Sequence, residues 1–85
     1  MDNLRVFSIN NDEQYEDNQT WIIIAENREE AACLFAKDQD IKFPISVGEY
    51  VDRFSRRVCI NFSTDYNTYH YIIEDLGPVQ KGVYQ

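Results

Sequence analysis

A chain of 85 residues fits one domain around one core, because chains divide only at a few times that length, so residues 1–85 are read as a single small domain. Hydrophobic residues make up 44% and aromatic residues 14%, which argues against disorder and against any need for a metal or a disulfide framework. The formal net charge of −7, from 15 acidic and 8 basic residues, disfavours direct binding to nucleic acid or to an anionic membrane and favours a basic or nucleic-acid-binding protein as partner.

Arg5 to Ile9 alternates around Val6, Phe7 and Ile9 and stops at Asn10-Asn11, which predicts a short strand running into a turn. Charges at Asp2 and Arg5 and the lack of a long apolar run make a targeting segment unexpected, and a cytoplasmic setting is the corresponding expectation. Asn10 to Gln19 carries Asp12, Glu13, Glu16 and Asp17 with only Tyr15 for bulk and is expected to be a solvated loop. Thr20 to Ala25 is a continuous β-branched and aromatic run, suited to a central strand at least partly covered on both faces.

Asn27 followed by Glu30 forms a capping-box pattern, so a helix is predicted to start at Arg28. Its expected packing stripe is Ala31, Leu34, Phe35 and Asp38, and Pro44 bars the helix from continuing. Ser46-Val47-Gly48-Glu49 repeats the capping pattern, and Val47, Tyr50, Val51 and Phe54 keep helical spacing, so a second short helix is expected there. A strand over residues 46–54 is the alternative, since Gly48 opposes a helix and Tyr50 and Val51 suit either state.

Arg57 to Ser63 and Thr68 to Glu74 alternate around Asp65-Tyr66-Asn67 and predict a β-hairpin. Leu76-Gly77-Pro78 closes the last strand, and residues 78–85 read as a weakly held tail. The expected fold is therefore α+β: a four-stranded, mainly antiparallel sheet with one or two helices on one face, in the order β-β-α-(α)-β-β.

The chemistry-bearing residues are few. His70 is the only histidine; alternation puts it on one face with Ile72 and puts Tyr69, Tyr71 and Ile73 on the other, so it reads as a partly exposed strand residue rather than the base of a nucleophile. Cys33 and Cys59 lack paired metal-ligand spacing and read as reduced core thiols. The Asp12–Asp17 stretch lacks the glycine turn and distal glutamate of a calcium loop, and Gly48, Gly77 and Gly82 are too isolated to cradle phosphate. Arg53, Arg56 and Arg57 are taken to neutralise Glu49 and Asp52. These readings point away from an enzyme, with no cofactor implied.

Thr20 to Ala36, a strand leading straight into a capped Glu-Glu-Ala-Ala helix, resembles a layout common among small phage and mobile-element accessory proteins. The resemblance implies an inhibitor or adaptor that acts by occluding another protein. The acidic residues Asp12, Glu13, Glu16, Asp17, Glu26, Glu29 and Glu30, with Tyr15 as an aromatic anchor, are the candidate partner-binding residues. Two alternatives stand beside this reading: an acidic nucleic-acid mimic, and a homodimeric or otherwise homo-oligomeric structural protein. Mimicry is limited in reach, because even all 15 acids on one face would imitate only about 25 Å of duplex.

Overall fold

A computed structural model of the chain describes residues 3–11, 19–51, 53 and 56–79. It is α+β, with strands β1 (Arg5–Asn11) and β2 (Thr20–Ala25), helix α1 (Arg28–Asp38), and strands β3 (Ile45–Val51), β4 (Arg56–Ser63) and β5 (Thr68–Pro78). The strands form one five-stranded sheet in the order β2-β1-β5-β4-β3, with every neighbouring pair antiparallel.

The expected hairpin over residues 57–74 is β4 and β5, paired from Cys59 opposite Ile72 to Ser63 opposite Thr68. Thr64 closes its turn, accepting from the amides of Tyr66 and Asn67 and donating from its own amide to the carbonyl of Asn67. The first strand extends two residues beyond the alternating run, to Asn11.

Two expectations about strands are corrected. Residues 45–51 are a strand, not a second helix: Ile45 and Val47 pack towards the core while Ser46 and Tyr50 turn the other way, and the whole segment pairs with β4. A capping-box pattern satisfies only the first turn of a helix, whereas a β-branched, period-two segment beside an open strand gains a full ladder. Phe54, the last residue of the expected helical spacing, lies outside the described residues, as does Asp52. The sheet thus has five strands where four were expected.

Thr20–Ala25 is an edge strand rather than a central one, because β1 pairs with β5 on its other side. Its burial alternates, and Ile22 and Ile24 are 59% and 49% exposed. A continuous apolar run allows coverage on both faces but does not require it.

Helix α1 begins as the sequence predicts. Asn27 is the N-cap in extended conformation, and its side-chain oxygen accepts from the Glu30 amide at 2.8 Å. The Glu30 carboxylate reaches back to the amide of Glu26, one residue before the cap. The helix stops before Pro44 acts. Asp40 takes a left-handed φ of 55°, and the amides of Asp40 and Ile41 donate to the carbonyls of Lys37 and Ala36. That Schellman ending satisfies the last carbonyls and turns Ile41 back onto the core.

Eleven residues make a helix about 16 Å long, close to the ~19 Å spanned by five strands. Accordingly α1 packs against both edge strands, β2 and β3, and the chain crosses the sheet from one edge to the other beneath it. The stripe it buries is Ala31, Ala32 and Phe35; Leu34 is 43% exposed, and Cys33 and Asp38 are exposed, correcting their expected place in the core. The two alanines bring the helix backbone close to the sheet, and Phe35 fills the remaining space. There its ring lies edge-on to Trp21 and Tyr71, with both centroids at 5.1 Å.

Around this contact Phe7, Ile9, Ala25, Ile60 and Ile73 complete the core. Phe62 extends it by stacking on Tyr69 at 5.1 Å. Val79 donates its amide to the Leu4 carbonyl, so the expected tail is held at its start, one residue past β5; residues 80–85 of that tail lie outside the described residues. Among the described residues no helix is long and apolar enough to cross a membrane.

Candidate functional site

Strand alternation gives the sheet a second face, opposite α1, over which no other element packs among the described residues. Register places Val6 beside Ile24 and Ser8 beside Ile22, then Ile72 beside Cys59 and His70 beside Asn61, with Tyr50 on β3. Its two sides differ in exposure. Ile22 and Ile24 stand out into solvent on the β2 side, whereas Val6, Ser8 and Cys59 are almost fully enclosed.

Cys59 is fully buried on this face. Tyr50 on β3 and His70 on β5 flank β4 with their ring centroids 5.4 Å apart; Tyr50 stands opposite Arg57 and His70 opposite Asn61, the residues two before and two after Cys59. His70 Nδ1 lies 2.5 Å from the side-chain oxygen of its cross-strand neighbour Asn61. The expected arrangement of His70 with Ile72, away from Tyr69, Tyr71 and Ile73, is therefore the one observed, and its polar partner is an amide. Cys33 is exposed on α1, outside the stripe that packs on the opposite face of the sheet.

The edge of β2 is the second feature of this surface. From Gln19 to Ala25 the edge carries no charge and no proline, the usual devices that block pairing with another strand. The other edge, β3, follows Pro44 and carries Glu49, whose carboxylate lies 4.0 Å from Arg56 Nε.

Of the acidic residues expected to meet a partner, Glu26, Glu29 and Glu30 gather at the start of α1, all exposed. Glu30 is engaged in the capping contact, which leaves Glu26 and Glu29 as an acidic rim beside the end of β2. Asp12, Glu13, Tyr15, Glu16 and Asp17 lie outside the described residues. Among the described residues no three of His, Cys, Asp and Glu gather to hold a metal ion.

The bottom of the sheet holds a polar group that sequence reasoning missed. At the β1–β5 border the register slips between Val6 and Phe7, so Leu76 is an extra residue on β5. Gly77 accommodates this bulge with a φ of 109°, a region L side chains rarely adopt. Asp75 braces it by accepting from the Gly77 amide at 2.9 Å and from Arg5 Nε at 2.8 and 3.1 Å on its two oxygens. The Arg5 hydrogen bond, helped by the Gly77 amide and the charges of Arg5 and Arg28, holds the Asp75 carboxyl below its usual value against an opposing effect of burial. Arg5 and Asp75 stand 70 positions apart along the chain, so nothing local in the sequence announces the pair.

No family model, curated protein or solved structure was found to match this chain.

Proposed function

We propose that this chain is a non-enzymatic protein-binding module that acts by covering a surface of a partner protein, as an inhibitor or adaptor of the phage or mobile-element accessory type. The observation that carries the reading is the exposure of Ile22 and Ile24, at 59% and 49%, next to an uncharged sheet edge. Large aliphatic side chains standing side by side in water gain free energy when a partner covers them, about 25 cal/mol for each Å² of apolar surface removed. An extended segment of the partner can add to β2, giving main-chain hydrogen bonds while the two isoleucines enter its apolar surface. Glu26 and Glu29 supply a polar rim that favours basic residues around the contact.

The test compares capture of proteins from nuclease-treated lysate by the parent chain and by an Ile22→Lys/Ile24→Lys variant, at low and high salt. The proposal expects a near-stoichiometric partner that survives high salt with the parent chain and is lost with the variant. A partner released by salt and lost instead on reversing Asp12, Glu13, Glu16 and Asp17 would replace this reading with the acidic mimic. Self-association of the parent chain in sedimentation, abolished by the isoleucine variant, would replace it with a homo-oligomer.

A further inference from the structure

The apolar part of the open face is wider than β2. Alternation from Val6 puts Leu4 on the same side of β1, and the Leu4 carbonyl accepts from the amide of Val79, in the register that follows Arg5 opposite Pro78. Along β5, alternation from Ile72 puts Glu74 and then Leu76 on that side as well. Leu76 is the extra residue of the bulge, beside the step from Val6 to Phe7, and it stands 56% exposed. Leu4 and Val79 are exposed next to it, and on the other side of β1 Ile24 stands opposite Val6. Ile22, Ile24, Leu4, Val79 and Leu76 therefore make one exposed apolar surface around the buried Val6, carried by three strands.

Charge borders this surface with one sign. Glu26 follows the end of β2 and Glu74 precedes Leu76 by two residues, and both are exposed. The residues of β1, β2 and β5 that alternation sends to this face include no lysine or arginine. A strand added to β2 lies in the plane of the sheet, at three strand spacings, about 14 Å, from β5. It reaches Ile22 and Ile24 and leaves Leu76 and Val79 uncovered. An α-helix is about 10–12 Å across with its side chains, so one laid on the face spans the two spacings, about 10 Å, from β2 to β5.

We propose that this face takes an amphipathic α-helix of the partner, its apolar stripe over Leu76, Val6 and Ile24 and its flanking Lys or Arg residues beside Glu26 and Glu74. The inference rests on the protein-binding reading and adds to it the kind of element the partner presents. Removing the aliphatic side chains from water supplies affinity, and the two carboxylates select a basic helix over an acidic one and over an anionic membrane surface.

The test follows backbone-amide NMR signals of the isotope-labelled chain at an ionic strength of about 0.15 M. It is titrated with two blocked peptides of about 18 residues and identical leucine and lysine content, one spaced for an amphipathic helix and one strictly alternating, as in a strand. Expected is saturable binding of the helical peptide with shifts at Leu4, Val6, Ile24, Leu76 and Val79, and at least tenfold weaker binding of the alternating peptide and of a helical leucine–glutamate peptide. Leu76→Lys, and separately Glu26→Lys with Glu74→Lys, should each weaken the helical peptide at least tenfold; all three side chains are exposed, so the fold is retained. Equal or tighter binding of the alternating peptide, with shifts confined to β1 and β2, overturns the helix and leaves the protein-binding reading standing. Shifts that scatter or do not saturate, or unchanged binding by Leu76→Lys, overturn it too, whereas the reading itself falls only if capture from lysate does not depend on Ile22 and Ile24. Concentration-dependent shifts at these residues without peptide put a second copy on the face, and loss of the same signals on phosphatidylcholine vesicles puts a lipid surface there; either result overturns the proposal.

Discussion

The two faces of the sheet are made by the same five strands, yet they achieve burial by different means. Beneath α1, Ile60 is fully buried by a helix and by Phe35, Tyr71 and Trp21 gathered around it; one residue away on β4, Cys59 is equally buried on the face that no described element covers. On that face Tyr50 and His70, from the strands on either side of β4, bring their rings within 5.4 Å of each other. The difference teaches that a residue in the middle of the sheet is buried even on the face away from α1, whereas the margin at β2 is not. At β2, where the sheet ends among the described residues, Ile22 and Ile24 remain in water.

The largest expected effect tests the helix-covered side. Phe35→Ala removes the side chain that joins α1 to both aromatic neighbours, and urea unfolding should show a loss of about 3–5 kcal/mol, enough to remove much of a small domain's stability. On β4 the contrast is direct: Ile60→Ala should cost about 2–5 kcal/mol and Cys59→Ala about 1 kcal/mol, although both parent residues are fully buried. Equal losses at the two positions would break the comparison.

Two glycines sharpen it further. An added Cβ at either Gly48 or Gly77 meets nothing within 4 Å, so sterics with the surroundings do not separate them. Backbone conformation does. Gly77→Ala, at a φ of 109°, should destabilise by about 1–3 kcal/mol, while Gly48→Ala in β3 should be neutral or stabilise by about 0.4–1 kcal/mol, as thermal melts of the two variants would show.

Smaller still is the bulge brace. Because the folded Asp75 carboxyl sits below its unfolded value of about 3.9, its contribution is present above that pH and disappears as pH falls through the folded value. Asp75→Asn should therefore cost less than about 1 kcal/mol near neutrality, for a pair that is partly exposed, and the gap from the parent should close below about pH 4 in denaturant titrations. The smallest effect is expected at the margin of the open face, where Ile22→Thr and Ile24→Thr should each move stability by about 0.5 kcal/mol or less. A large loss there would mean that the face is already covered within the chain.

Residues close in sequence settled much of the fold. Asn27 and Glu30 announce the start of α1 because a cap is a contact between residues three apart, and the alternation of residues 57–63 and 68–74 announces the hairpin because its strands meet across a short turn. The capping pattern at Ser46 misled for the same reason: it records what one turn could do and is silent about a strand waiting beside it. Likewise Leu34 and Cys33 lie within reach of a helical stripe, and only the angle at which α1 meets the sheet selects Ala31, Ala32 and Phe35 instead.

The candidate site was less legible. The acidic rim at Glu26 and Glu29 could be read directly, but exposure of Ile22 and Ile24 follows from β2 standing at the edge, and that in turn follows from β1 pairing with β5 at the far end of the chain. The bulge at Leu76 and the Arg5–Asp75 contact belong to the same pairing of the two ends of the chain. By itself the sequence determined the charge, the apolar content, the helix start and the local hairpin, all set by composition or by neighbours a few residues apart. Only the tertiary structure decided strand order, which apolar run stays in water and that Arg5 meets Asp75, because each depends on contacts between segments whose separation along the chain carries no local signal.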